Sequence, residues 1–307
     1  MTDVKILVCD PIHEDGIEML VNAGFQVDIK SEITHEELLD RVNNYDALVV
    51  RSRTKVSADV LNKASNLKAI ARAGVGLDNI DLPTAREQRI QVFNSPEAPC
   101  NAVAELVIGM IFSMARNIAY ANYSMKHGQW LKKSLTGFEI AGKTLGVIGF
   151  GRIGYLVGKK AKALDMDVLA FDVAMDVVKP FVDEVGARDM DMDTLLRDSD
   201  FITIHVPLLP QTRHMIGREE FAKMKDGAYI INAARGAIID EEALKEALAS
   251  GKVSGAALDV FEEEPNPDPE LIERLDVVCT PHIGAGSVEA QVANSTVVAE
   301  KLINYFT

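Results

Sequence analysis

Along the chain, short runs of β-branched and aliphatic residues alternate with longer stretches whose apolar positions recur every three to four residues. In the first part, strands are predicted at 4–8, 25–29, 47–50, 68–71 and 91–93. Helices are predicted at 13–23, after Thr34, at 57–64 and at 82–88. Thr34 with Glu37 forms a candidate capping box, and Gly24 closes the helix before it. Strands alternating with helices of this length imply right-handed crossovers and a mainly parallel sheet.

A helix apolar around most of its circumference then runs from near Asn101 to Arg116, a pattern that predicts burial. Residues 117–140 are more polar, contain Trp130 and fit no strand–helix unit, so they read as an arm or partner-contact segment. At Thr144 a second series begins, with strands in TLGVIGF, VLAFD, FITIHV, YIINAA, SGAALDV and VVCT. Its helices are predicted at 153–164, around 194–198, at 219–224 and at 241–250. The last helix, from 288 to about 305, has no sheet of its own and is expected to pack back on the first series. The fold class is α/β, with two doubly wound parallel-sheet domains.

Composition narrows the function. The 307 residues fit two domains at roughly 150 residues each. With 32 Lys and Arg against 46 Asp and Glu, the net charge of −14 argues against sequence-independent nucleic-acid binding. It leaves anionic small molecules open, because a few local cations outweigh the net sign within one cleft. No run of about 18 apolar residues predicts a membrane span. The start, MTDVKILVCD, lacks the features of a secretory signal. Cys9, Cys100 and Cys279 lie far apart and match neither a zinc ribbon nor a disulfide framework. A cytoplasmic protein with no nucleic-acid or membrane partner is expected. The six histidines show no metal-ligand spacing, so no metal is expected either.

Gly149-Phe-Gly151-Arg-Ile-Gly154 matches G-x-G-x-x-G, with an apolar run before it and a helical pattern after it. That context marks a dinucleotide site: a tight turn at Gly149, pyrophosphate approach at Gly151 and helix–strand packing at Gly154. The next strand ends in Asp172, roughly 20 residues on, where an acid hydrogen-bonds ribose hydroxyls and repels a 2′-phosphate. Val173 and Ala174 offer no cation for such a phosphate, so NAD is expected rather than NADP. Three further polar residues follow predicted strands: Arg235 after YIINAA, Glu264 after SGAALDVF, and His282 after VVCT in a glycine-rich turn. Ligand sites of open parallel sheets gather at such carboxyl ends.

In six segments the chain resembles the D-2-hydroxyacid dehydrogenase family, nearest its phosphoglycerate dehydrogenase branch. These are ARAGVGLDNID (71–81), GVIGFGRIG (146–154), HVPLLPQT (205–212), INAARGAIID (231–240), ALDVFEEEP (257–265) and TPHIGAG (280–286). The resemblance covers nearly the whole chain. It implies a flavodoxin-like substrate domain, residues 1–97 and 284–307, interrupted by a Rossmann NAD-binding domain, residues 98–283. It implies NAD-dependent hydride transfer from C2 of a D-2-hydroxyacid, most closely 3-phosphoglycerate to 3-phosphohydroxypyruvate in serine biosynthesis. His282 is then the base, Glu264 its carboxylate partner and Arg235 the substrate-binding arginine.

The resemblance also carries over a set of cofactor contacts. Beyond Gly149, Gly151, Gly154 and Asp172, these are Arg152 and Ile153 in the fingerprint, and His205, Val206, Pro207 and Thr212 in the next motif. Val75, Ala233, Ala234, Arg235 and Asp259 join them, with the turn of His282, Gly284 and Ala285. Backbone N–H groups of Gly74, Val75 and Gly76 are implied for the substrate carboxylate, and Arg51 and Arg72 for a phosphate. Arg53 and Lys55 lie in the same cationic cluster. Where relatives send an arginine in from a partner subunit, this chain has Trp130-Leu-Lys-Lys133. Lys132 keeps the charge without the planar fork. A homodimer through the NAD-binding domain is expected, and ending at Thr307 implies no C-terminal regulatory extension. A glyoxylate or hydroxypyruvate reductase, and a non-catalytic NAD-sensing protein on the same fold, stay open as alternatives.

Overall fold

The structure, a computed structural model, describes residues 3–307. It divides into two compact units. One takes the chain up to Cys100 together with Ala285–Thr307, and the other is Asn101–Gly284.

In chain order the first unit contains β1 (Lys5–Val8), α1 (Glu14–Asn22), β2 (Gln26–Ile29), α2 (His35–Arg41), β3 (Ala47–Val50) and α3 (Ala58–Asn62). Then come β4 (Ala69–Arg72), α4 (Leu82–Glu87) and β5 (Gln91–Asn94). The second unit holds α5 (Cys100–Ala115), α6 (Ile118–Lys126), β6 (Thr144–Ile148), α7 (Arg152–Ala163), β7 (Asp167–Phe171), α8 (Met175–Val185) and β8 (Arg188–Asp189). It continues with α9 (Met192–Asp198), β9 (Phe201–Ile204), α10 (Arg218–Lys223), β10 (Ala228–Asn232), α11 (Glu241–Ala249), β11 (Val253–Leu258), α12 (Pro269–Ile272) and β12 (Val277–Cys279). The last helix, α13 (Val288–Phe306), returns to the first unit.

Every strand pair is parallel. The first sheet has the order β2-β1-β3-β4-β5, the flavodoxin-like arrangement, and the second β12-β11-β10-β9-β6-β7-β8. Buried alternation explains why each sheet carries helices on both faces. On β6, Leu145 and Val147 join the cluster containing Val107 and Ile111 of α5, while Ile148 faces the opposite cluster with Leu195 and Leu244. In the first sheet, Ile6, Val8, Val49 and Ala71 pack with Leu20 of α1 and Val298, Ala299 and Leu302 of α13. The terminal helix therefore completes a layer that α1 alone leaves open. The capping box at Thr34 is formed, its hydroxyl accepting from the Glu37 N–H while the Glu37 carboxylate accepts from the Thr34 N–H.

Four elements, α6, α8, β8 and α12, are absent from the sequence reading. Residues 117–140 are not wholly irregular: Asn117 adopts a left-handed conformation (φ 53°), turns the chain by 66° and starts α6. A left-handed residue cannot continue a right-handed helix, so one apolar run becomes two helices. The sequence reading also assigns nothing to 175–185, where α8 accommodates Pro180 and buries Val178 and Val182. Among the described residues, no single helix is long and apolar enough to cross a membrane.

Candidate active site

In the second unit, polar side chains collect at the carboxyl ends of β6, β7 and β9–β12. The fingerprint turn comes first. Gly149 sits at φ +89°, a conformation L side chains rarely adopt, and a Cβ there would stand 2.7 Å from the carbonyl oxygen of His205. Gly151 caps α7 with no side-chain hydrogen bond and open space above it, so the first N–H groups of a twelve-residue helix face outward. Asp172 stands at the end of β7, its Oδ2 accepting from the Phe150 N–H (2.8 Å) and its Oδ1 from the Ala174 N–H (2.8 Å). Each oxygen has a second lone pair for a ribose hydroxyl. Arg152 is exposed and Ile153 half-buried beside them. A bare N-terminus, an open glycine and an acid at the next strand end suit a dinucleotide with a free 2′-hydroxyl.

The following motif lines the same turn. The ring of His205 hydrogen-bonds Thr203 through Nε2 (3.0 Å), and burial pushes its pKa down to about 3, so it is neutral near pH 7. Val206 packs against Gly149. Thr212 braces its own loop, donating to the Pro207 carbonyl (2.6 Å) and accepting from the Leu209 N–H (2.7 Å).

His282 Nδ1 lies 2.7 Å from Glu264 Oε2, and the Phe261 N–H donates to Glu264 Oε1 (3.1 Å). Burial by itself would raise the Glu264 pKa. The hydrogen bonds from His282 and Phe261, with the charges of His282 and Arg235, outweigh it and hold the carboxyl below its ordinary value. Both side chains stay partly exposed, 40% for His282 and 37% for Glu264, which leaves the pair open to a ligand. With Nδ1 held, Nε2 is the nitrogen placed to exchange a proton. The pair borders a cavity of about 310 Å³ lined by Phe261, Pro265, Ile272 and Cys279.

Arg235 follows β10. Its loop is tied by Asn232, which donates to the Arg235 carbonyl (2.9 Å) and accepts from the Ala234 N–H (3.1 Å). Gly236 is pressed against the chain leading to Glu264: a Cβ there would overlap backbone atoms of Phe261 and Glu262. That contact brings the loops of Arg235 and Glu264 together. Ala233 and Ala234 are half-buried in the same loop. Asp259 is buried, and both its oxygens are occupied by the turn bearing His282.

In the first unit, Arg72 ends β4 and lies across Gly74, its guanidinium donating to Ser52 Oγ (3.1 Å). The Gly74 and Val75 carbonyls accept from Ser95 N–H and Asn94, which fixes the loop through Gly76. Arg51 has its N–H on Asp10 (2.5 Å) and its side chain on the Pro11 carbonyl (3.3 Å). Arg53, grouped with the anion-facing cations on sequence, proves to be a strap. It pairs with Asp10 (3.0 Å) and donates to the carbonyls of Cys9, Ser31 and Ile33, tying three chain segments together. Lys132 and Trp130 are exposed in the segment after α6. Desolvation pushes the Cys9 thiol up to about 12 and the Cys279 thiol up to about 11.

Sequence reasoning missed Asn232, Gly236 and Thr280. Their only signal was position, immediately after or before residues already singled out.

Residues 108–284 match the family model described as "D-isomer specific 2-hydroxyacid dehydrogenase, NAD binding domain". The chain is 50% identical over 305 residues to the D-3-phosphoglycerate dehydrogenase of Methanocaldococcus jannaschii, covering 97% of this chain and 57% of that protein. It is 48% identical over 306 residues to the hydroxypyruvate reductase of Thermotoga maritima, covering 98% of each. The chain thus spans about half the length of the phosphoglycerate dehydrogenases it matches first and nearly all of the reductase. Among solved structures, a glyoxylate reductase from Paecilomyes thermophila superposes with a TM-score of 0.89 at 31% identity, covering 100% of this chain and 96% of that one.

Proposed function

This chain belongs to the D-isomer-specific 2-hydroxyacid dehydrogenase family, and we propose that it oxidises 3-phosphoglycerate to 3-phosphohydroxypyruvate with NAD. The observation that carries the reaction is the His282–Glu264 pair, 2.7 Å apart beside the Arg235 loop. When bound, NAD supplies the hydride acceptor. The chain supplies the rest: His282 Nε2 takes the C2 hydroxyl proton, and Glu264 holds the ring and stabilises its protonated form. Arg235 presents a charged fork to the carboxylate and the developing carbonyl oxygen. The second unit is the cofactor domain under this reading, with Gly149, Gly151, Arg152, Ile153 and Gly154 at the pyrophosphate and Asp172 at the ribose. His205, Val206, Pro207, Thr212, Ala233, Ala234, Gly284 and Ala285 complete the contacts, with Val75 from the substrate domain.

For the substrate, Arg51 and Arg72 are the phosphate-binding residues, and the Gly74–Gly76 backbone holds the carboxylate. The reductase reading has its own support, since the Thermotoga maritima relative matches this chain end to end. Turnover of 3-phosphoglycerate, glycerate and lactate side by side separates the two. Arg51→Ala should raise KM for 3-phosphoglycerate at least about tenfold while kcat holds, because a remote phosphate is bound alike in ground and transition states. An equal effect on glycerate would favour the reductase. Asp172→Ala should weaken NAD binding and relax discrimination against NADP, since the ribose acceptor and its charge are lost together. An unchanged NAD-to-NADP preference would remove Asp172 from the site.

The reading extends to serine biosynthesis in the cytoplasm and to a homodimer formed through the cofactor domain. Ile118, Tyr123 and Met125 of α6 and Trp130 are each more than half exposed, an apolar surface suited to a second copy, with Lys132 beside it. Light scattering at micromolar concentration should give twice the chain mass, and the mass of one chain would refute the dimer.

A further inference from the structure

We propose that Asp10 and Asn79 are positioning residues that set the preference for a phosphorylated substrate, by holding the loop that carries Arg51. This rests on the reading of Arg51 and Arg72 as the phosphate-binding residues.

The loop at 51–54 follows β3, and Asp10 follows β1. In the strand order β2-β1-β3-β4-β5 these two strand ends flank the topological switch point, where ligands of such sheets gather. Two side chains from other segments fix both ends of the loop. The Asp10 carboxylate, 1% exposed, accepts from the N–H groups of Arg51 (2.5 Å) and Thr54 (3.2 Å) and from the Thr54 hydroxyl (2.7 Å). The Asn79 amide donates to the carbonyls of the same two residues, each at 2.7 Å. Asn79 is anchored in turn, its own carbonyl accepting from the Val56 N–H (2.7 Å) beside the bridge of Val56 to Ile80. N–H and C=O are thus tied at each end of the loop, with Ser52 and Arg53 between them.

The loop orients both arginines. The Arg51 guanidinium rests on the carbonyl of Pro11, the residue after Asp10 (3.3 Å), and Ser52 Oγ accepts from Arg72 (3.1 Å). A carboxylate beside a phosphate site repels the phosphate unless a cation answers it, and Arg53 pairs with Asp10 at 3.0 Å. Charge and geometry therefore give opposite signs when Asp10 loses its charge.

On charge alone, Asp10→Asn would lower KM for 3-phosphoglycerate, since a negative group is gone. On geometry it raises KM, because both carboxylate oxygens face donors and the amide turns one of them into a donor. The expected result is a rise of about tenfold, the cost of ordering an arginine and its loop on binding. Both kcat and the KM for glycerate should hold within about twofold, since the phosphate is remote from C2. Asn79→Leu, close in size and without a donor, should act alike. Thr54→Val should raise KM about threefold and Thr54→Ser hardly at all, because serine restores the hydroxyl. These variants keep the test usable where Asp10→Asn does not fold. Calorimetric titration with 3-phosphoglycerate should show the same losses, so the result stands even where glycerate is not turned over.

A KM for 3-phosphoglycerate that is unchanged or lowered in Asp10→Asn would overturn the proposal. So would an equal rise for glycerate, or Thr54→Val and Thr54→Ser behaving alike. Arg51→Ala tests the underlying reading separately. If it too leaves KM unchanged, the phosphate assignment has failed. If it raises KM while Asp10→Asn and Asn79→Leu do not, the clasp alone has failed.

Discussion

Replacing His282 with asparagine should lower kcat by roughly two to four decades, the usual contribution of a positioned acid–base group. Asparagine retains a donor for the Glu264 carboxylate but has no nitrogen that accepts a proton at neutral pH. NADH binding should change little, because most of the cofactor surface lies along β6, β7 and the fingerprint turn. Glu264→Gln should do less harm and should move the acid limb of the kcat/KM profile to lower pH. In the oxidative direction the ring must start neutral, and an amide stabilises the protonated ring less than a carboxylate does. The sign follows from the carboxylate too: held below its ordinary value, Glu264 is ionised through the neutral range and loses its effect only as pH falls through that lowered value. Wild-type turnover in His282→Asn would dismiss the mechanism, and an unmoved acid limb in Glu264→Gln would separate the carboxylate from it.

Gly236→Ala carries the other large expectation. The methyl group has nowhere to go, since the atoms it meets are backbone of Phe261 and Glu262 rather than the end of a flexible side chain. Forcing these chains apart should cost about 3 kcal/mol, the upper end of ordinary overpacking. Each kcal/mol lowers Tm by about 2–4 °C in a domain of this size. Turnover should fall further than the population of folded protein, because the displaced segments carry Arg235 and Glu264. A Tm within about a degree of wild type, with full activity, would show that the two loops yield without cost.

Much of this protein was legible along the chain. Val147 and Ile148 differ by one position and face opposite helix layers, as period-two burial requires. Thr34 and Glu37 announced a cap that forms as read. Gly149, Gly151 and Asp172 could be placed because each answers a local demand, a turn, a close approach or a strand end. The His282–Glu264 pair was a harder inference: its partners lie in separate loops, and the resemblance to a family, rather than periodicity, joined them.

Other features had no local signature. Arg53 and Arg51 look alike in sequence, yet one is bonded to the carbonyls of Cys9, Ser31 and Ile33, contacts set by which strands lie side by side. Asn117 could have continued a helix until its left-handed backbone turned the chain. The resemblance offers Asp259 as a cofactor contact, and only the return of the chain through β12 surrounds its carboxylate with the donors of Thr280, Ile283 and Gly284. The sequence by itself determined the elements, the sheet type and the residue kinds at each strand end, because periodicity and backbone preference act over a few neighbours. The tertiary structure decided which of those residues face a ligand and which are spent holding the fold, because a hydrogen bond is assigned by proximity in space.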